Sequence, residues 1–125
     1  MNGKYKYLLD SNIIIYHLNG EKTATDFLIE HLDKCAISRI TYIEVLSYPF
    51  NDDDFKIVKD FLESFMIIDT NKEISNQSIL NRRLKKIKLP DNIIAATAQV
   101  NNLVLVTRNV KDFNALNIKL LNIFE

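Results

Sequence analysis

Residues 7–15 read YLLDSNIII, and the parsing of that stretch decides the fold. Tyr7 to Leu9 is an apolar run that stops at one carboxylate, Asp10, and a second apolar run follows Ser11 and Asn12. A short apolar burst bounded by polar residues has the pattern of a strand buried on both faces, as in a parallel sheet. The Asp-Ser-Asn after it carries the signal of a helix start. Strand, acid, helix is therefore the first unit, and no basic residue stands next to the acid to neutralise it.

The same alternation runs along the chain. Apolar bursts predict strands over residues 4–9, 35–38, 65–68 and 103–107, with a weaker one over 118–121. Longer segments with helical periodicity predict helices over 12–18, 23–32, 41–47, 53–63, 72–87 and 92–100. Strands alternating with helices in this way give an α/β fold with a central, mainly parallel sheet. With 125 residues, two glycines and two prolines, there is no linker-like tract, and a single domain over residues 1–125 is expected.

Composition narrows the function. Sixteen basic and sixteen acidic residues cancel, so any nucleic-acid contact must come from a local basic patch. The one cysteine, Cys35, allows neither an internal disulfide nor a thiolate zinc cage, and the first ten residues lack the apolar stretch of a signal peptide. A reducing, cytoplasmic setting follows, and no apolar segment approaches the roughly 20 residues of a membrane span. The only glycines, Gly3 and Gly20, cannot build a G-x-x-x-x-G-K or G-x-G-x-x-G phosphate loop. A phosphatase of the haloacid dehalogenase type needs D-x-D after its first strand, and Asp10-Ser11-Asn12 lacks the second acid.

Four acids stand out, each with an ordinary explanation. Asp10 is a natural N-cap, Glu44 has the capping-box spacing from Thr41, Asp91 follows Pro90 at a helix start, and Asp112 sits in a turn. Jointly they say more. Asp10, Asp91 and Asp112 lie where a strand ends or its following helix begins, and Glu44 lies about one helical turn after the second strand. In a parallel sheet these places share the carboxyl edge, where α/β folds bind ligands. Carboxylates gathered there would repel by roughly 4 kcal/mol per pair at 4 Å with an effective dielectric near 20. An all-oxygen set suits a hard cation such as Mg²⁺ or Mn²⁺.

The blocks LLDSNIIIYHL, ISRITYIEVL, LPDNIIAATA and LVLVTRNVKDF, in this order, resemble the four motif blocks of the PIN domains, and among these the VapC-type toxins of toxin–antitoxin pairs. The resemblance implies a three-layer α/β/α fold and a Mg²⁺- or Mn²⁺-dependent ribonuclease that leaves 3′-hydroxyl and 5′-phosphate ends. It also implies a cognate antitoxin and a homodimer. Asp10, Glu44 and Asp91 match the family's acidic positions, and Asn12 and Thr107 its supporting polar ones. Many PIN domains carry an aspartate where this chain has Asn109, while the toxin-like group adds an acid three residues later, here Asp112. Both therefore enter the candidate site.

Arg82, Arg83, Lys85, Lys86 and Lys88, with Arg108, form the candidate RNA-contacting cations, although basic residues late in a helix also serve its negative end. His17 and His31 are expected at the surface. The rival reading is a PIN fold kept for RNA binding or assembly without catalysis.

Overall fold

The computed structural model describes residues 3–125. The strands are β1 (Tyr7–Leu9), β2 (Cys35–Ser38), β3 (Met66–Ile68), β4 (Val104–Val106) and β5 (Leu120–Leu121). The helices are α1 (Ser11–Leu18), α2 (Lys22–His31), α3 (Arg39–Leu46), α4 (Asp52–Glu63), α5 (Lys72–Leu84), α6 (Leu89–Val100) and α7 (Val110–Phe113), with a 3-10 turn over Leu32–Lys34. All five strands join one sheet in the order β3-β2-β1-β4-β5, and every pairing is parallel.

Alternation along the strands sorts the core into two layers. Leu8, Ala36 and Leu105 face one way and pack with Ile74, Ile94, Ala95, Ala98 and Phe113. Tyr7, Leu9, Cys35, Ile37 and Val106 face the other and pack with Ile13, Ile14, Leu28, Val58 and Leu62. Helices thus cover both faces, the three-layer α/β/α arrangement of a PIN-like fold, and the carboxyl ends of the strands form one shared edge. The strand order reverses at β1: the chain goes to β2 on one side and returns as β4 on the other. Such a switch point leaves a crevice beyond the strand ends. The register Leu9↔Val106 puts Asp10 opposite Thr107 there, and Asp10 N–H extends the ladder to Val106 C=O at 2.9 Å.

Four expectations need correction. The helix expected over 72–87 stops at Leu84, because Lys85 is extended (φ −151°, ψ 141°), and this turn carries Ile87 into the core. The next helix starts at Leu89, three residues earlier than expected, with Pro90 in its first turn, where a missing N–H leaves no bond unmade. The short α7 is not among the six helices expected, although a turn was expected at Asp112. The two histidines are packed: His17 lies against Phe61 with Nδ1 2.8 Å from Thr25 Oγ, and His31 rests on Tyr7 and Phe27. Among the described residues no helix is long and apolar enough to cross a membrane.

Candidate active site

Asp10 is the N-cap of α1 in extended backbone (φ −68°, ψ 155°), so its ordinary explanation is real. Its carboxylate does more than cap. One oxygen accepts the Ser11 N–H at 2.8 Å, and the other accepts the Thr107 hydroxyl at 2.8 Å, across 97 residues of chain. Only 5% of Asp10 is exposed. Burial pushes its carboxyl up to about 6; the Thr107 and Ser11 bonds pull the other way, and the negative charges of Asp91 and Glu44 add to the rise.

Glu44 has a different local role from the capping box expected of it. The N-cap of α3 is Ser38, whose hydroxyl accepts the Ile40 N–H at 3.0 Å, so Thr41 already lies inside the helix. Thr41 is fully buried, and its hydroxyl stands 3.1 Å from Ser11 Oγ. Ser11 Oγ is 2.6 Å from Glu44 Oε1, a length typical of a charge-assisted bond, so the serine proton goes to the carboxylate. Ser11 bonds to two of the candidate acids, Asp10 and Glu44, and sequence reasoning passed it over. Its link to Glu44 spans 33 residues and has no local signature.

Asp91 is half-buried in the first turn of α6. The face behind it is Ile94, Ala95 and Ala98, all fully buried, so small side chains seat the helix closely on the sheet and hold the acid at the lip of the core. Burial raises the Asp91 carboxyl, the negative charges of Glu44 and Asp112 raise it further, and Lys88 partly offsets them. Asp112 is exposed on α7 and shares a cleft of about 220 Å³ with Lys85, Lys86, Ile87, Lys88 and Asp91. It thus acts on Asp91, whereas the charges that raise Asp10 are those of Asp91 and Glu44.

Thr107 joins the two groups. Fully buried at the end of β4, it donates to Asp10 and accepts the Asn109 N–H at 3.0 Å, which starts the turn into α7. Asn109 is the N-cap residue of α7 but makes no side-chain cap bond; its carbonyl accepts the Asp112 N–H at 3.0 Å. Asn12, in the first turn of α1, keeps a buried Oδ1 with no hydrogen-bond partner.

The basic residues divide. Arg82, Arg83, Lys86 and Lys88 are exposed. Lys85 Nζ donates to the main-chain carbonyls of Lys111 and Asp112 at 2.9 and 2.8 Å. The Arg108 guanidinium packs on the rings of Tyr16 and Phe124, 5.2 and 4.6 Å from their centroids, and the two rings meet each other edge-on at 5.2 Å.

None of Asp10, Glu44, Asp91 and Asp112 forms an ion pair among the described residues. Nor do three His, Cys, Asp or Glu side chains there converge as a ready-made metal cage. The carboxylates are linked through Asp91: it and Glu44 raise Asp10, and Glu44 and Asp112 raise Asp91. The donor chemistry of these four side chains, carboxylate oxygen only, fits a hard cation.

Comparisons with known proteins agree with this geometry. The family model for the PIN domain matches residues 7–119. A toxin–antitoxin complex from Klebsiella pneumoniae contains a chain 35% identical to this one, with a TM-score of 0.86 over 96% of this chain and 99% of that chain. VapBC-1 from nontypeable Haemophilus influenzae matches at 26% identity and a TM-score of 0.78, over 95% of this chain and 98% of that chain. VapBC2 from Rickettsia felis, bound to a DNA fragment from its promoter, matches at 26% identity and 0.77, over 93% and 97%. Compared by sequence alone, the chain matches no curated protein. The matched model and the Klebsiella likeness both span nearly all of the sequence, and the chain belongs to the PIN domain family, whose members are generally nucleases.

Proposed function

We propose that this protein is a Mg²⁺- or Mn²⁺-dependent ribonuclease, the toxin of a type II toxin–antitoxin pair, acting in the cytoplasm and restrained by a cognate antitoxin. The observation that carries the reading is Asp10: a carboxylate at the central strand's edge, raised to about 6, with Glu44 and Asp91 near it and, among the described residues, no cationic side chain paired to it. Burying such a group without a partner is costly, and a bound cation is the partner that removes the cost. The Klebsiella relative's description as a toxin–antitoxin complex supports the biological role.

Asp10 and Asp91 would hold the ion, with Asp112 as the third carboxylate on the α7 side and the free Asn12 Oδ1 and the Asn109 amide as neutral supports. A bound Mg²⁺ or Mn²⁺ supplies charge neutralisation at the phosphodiester and lowers the pKa of water. Thr107 keeps the second oxygen of Asp10 oriented. Glu44, aligned by the Ser11 hydroxyl, takes a proton from the attacking water and points it in line with the leaving oxygen. Because water is the nucleophile, the products carry 3′-hydroxyl and 5′-phosphate ends. Arg82, Arg83, Lys86 and Lys88 would track the RNA backbone beside the site, and Arg108, stiffened by its two rings, would reach one phosphate.

A homodimer is part of the proposal. In residues 27–32, Leu28 goes to the core while Ile29 is 75% exposed; in residues 47–55, Tyr48 is 65% exposed. These apolar side chains are free for contact. The rival, a binding module without catalysis, draws on the lack of a preformed cage. One experiment separates them. Purified protein is incubated with total RNA, with and without Mg²⁺ or Mn²⁺, and new 5′ ends are mapped. Discrete metal-dependent cuts absent from Asp10→Asn are expected; cleavage that survives EDTA or the substitution overturns the reading, and RNA binding without cleavage selects the rival.

A further inference from the structure

We infer that Lys85 is a positioning residue for Asp112, holding the α7 turn so that this carboxylate stands beside Asp91. The inference rests on the proposed reading of the acids as a cation site. The turn α7 is four residues long, and so short a helix does not hold itself, since nucleation fixes several dihedrals for one bond. Its start lacks a side-chain cap, and the Asp112 N–H to Asn109 carbonyl bond closes it. Phe113, 1% exposed, anchors it from the core.

At the other end, the carbonyls of Lys111 and Asp112 are last-turn groups with no intrahelical donor to satisfy them. Lys85 Nζ serves both, at 2.9 and 2.8 Å. A cation at that position also complements the negative end of the turn. Lys85 reaches it because it is the first residue after α5 and its backbone is extended, so the chain turns toward α7 before Ile87 enters the core. Asp112 is therefore fixed between a core anchor and an ammonium tie, in the cleft it shares with Asp91 and close enough for its charge to act there. The basic run is functionally mixed: Lys85 shapes the site, and its exposed neighbours face solvent.

The test compares Lys85→Met, Lys85→Arg, Asp112→Asn and the Lys85→Met/Asp112→Asn double variant. Amide hydrogen exchange is measured on the metal-free protein, Mn²⁺ affinity by titration without RNA, and RNA affinity separately. Exchange at Asp112 and Phe113 in Lys85→Met should be about tenfold faster, the change that roughly 1.4 kcal/mol of lost tethering gives. Mn²⁺ affinity should fall severalfold in Lys85→Met, recover in Lys85→Arg, whose fork can also serve two carbonyls, and fall no further when Lys85→Met is added to Asp112→Asn. Parental exchange and Mn²⁺ affinity in Lys85→Met, with weakened RNA binding, would make Lys85 a phosphate contact and overturn the inference. If the parent binds no Mn²⁺, the cation-site reading falls, and the exchange data decide the tether independently.

Discussion

Replacing Asp10 by asparagine should stabilise the metal-free protein. Burial moves this carboxyl from an ordinary 3.8 to about 6. At 1.36 kcal/mol per pH unit the ionised form costs roughly 3 kcal/mol in the folded state. Because the folded value lies above the unfolded one, the penalty is absent below about pH 4, grows as pH rises toward 6 and is complete above it. Asparagine keeps the shape and removes the charge, but its amide turns one N–H toward either Ser11 N or Thr107 Oγ, which loses about 1–2 kcal/mol. The net gain near pH 8 is about 1–2 kcal/mol, or a melting temperature higher by roughly 3–10 °C for a chain of this size. Near pH 4 the gain should vanish or reverse. Excess Mn²⁺ should also invert the order, since a site filled at a hundred times its Kd adds about 2.7 kcal/mol to the parent alone. Differential scanning calorimetry in EDTA and in Mn²⁺, across pH, measures all three. A metal-free Asp10→Asn protein that melts below the parent near pH 8, or a difference that does not move with pH, would refute the argument that burial of the charge dominates over capping.

Other outcomes are expected at the same edge. Asp112→Asn should weaken Mn²⁺ binding strongly, with higher metal concentration restoring part of the cleavage, while Asn109→Ala acts mainly by misplacing its neighbours; calorimetric titration of both decides which residue supplies the ligand. Ser11→Ala frees Glu44 from its 2.6 Å bond and should lower kcat about tenfold or more while leaving Mn²⁺ affinity near parental. An equal loss of both would show that Glu44 chiefly holds metal. Mn²⁺ affinity should rise steeply as pH passes through about 6, where Asp10 gives up its proton, and a flat profile would place the ligand elsewhere.

The strands were readable because each is a short apolar burst; the place of Asp10 followed from where the first burst ended, and that of Asp91 from the helix start that Pro90 marks. Thr41 and Glu44 misled for a physical reason. Their spacing fits a capping box, but Ser38, at the last strand position, takes the cap one turn earlier and leaves Glu44 free for Ser11. The basic run showed as charge only; that Lys85 turns to main-chain carbonyls depends on an extended residue between two helices. Likewise, Arg108 gave no sign of packing on Tyr16 and Phe124, residues far apart in the chain. Contacts across such separations are decided by packing, and a local pattern cannot encode them.

The placement of β1 between β2 and β4 has a consequence for the timing of synthesis. Asp10 follows β1, which is made before the other four strands of the sheet, yet the hydroxyl that orients it belongs to Thr107, just after the fourth. Until residues 104–107 emerge, one side of β1 is an open edge and one oxygen of Asp10 lacks its donor; Asp112 is added later still. A contact of such long range also closes late in folding, since the intervening loop must be ordered first. On the proposed reading, a nuclease harmful to the cell that makes it is silent through most of its own translation. Ribosome-stalled chains that end before residue 104 should neither cut RNA nor gain protease resistance from Mn²⁺, and cutting by such chains would show that the site forms without its fourth strand.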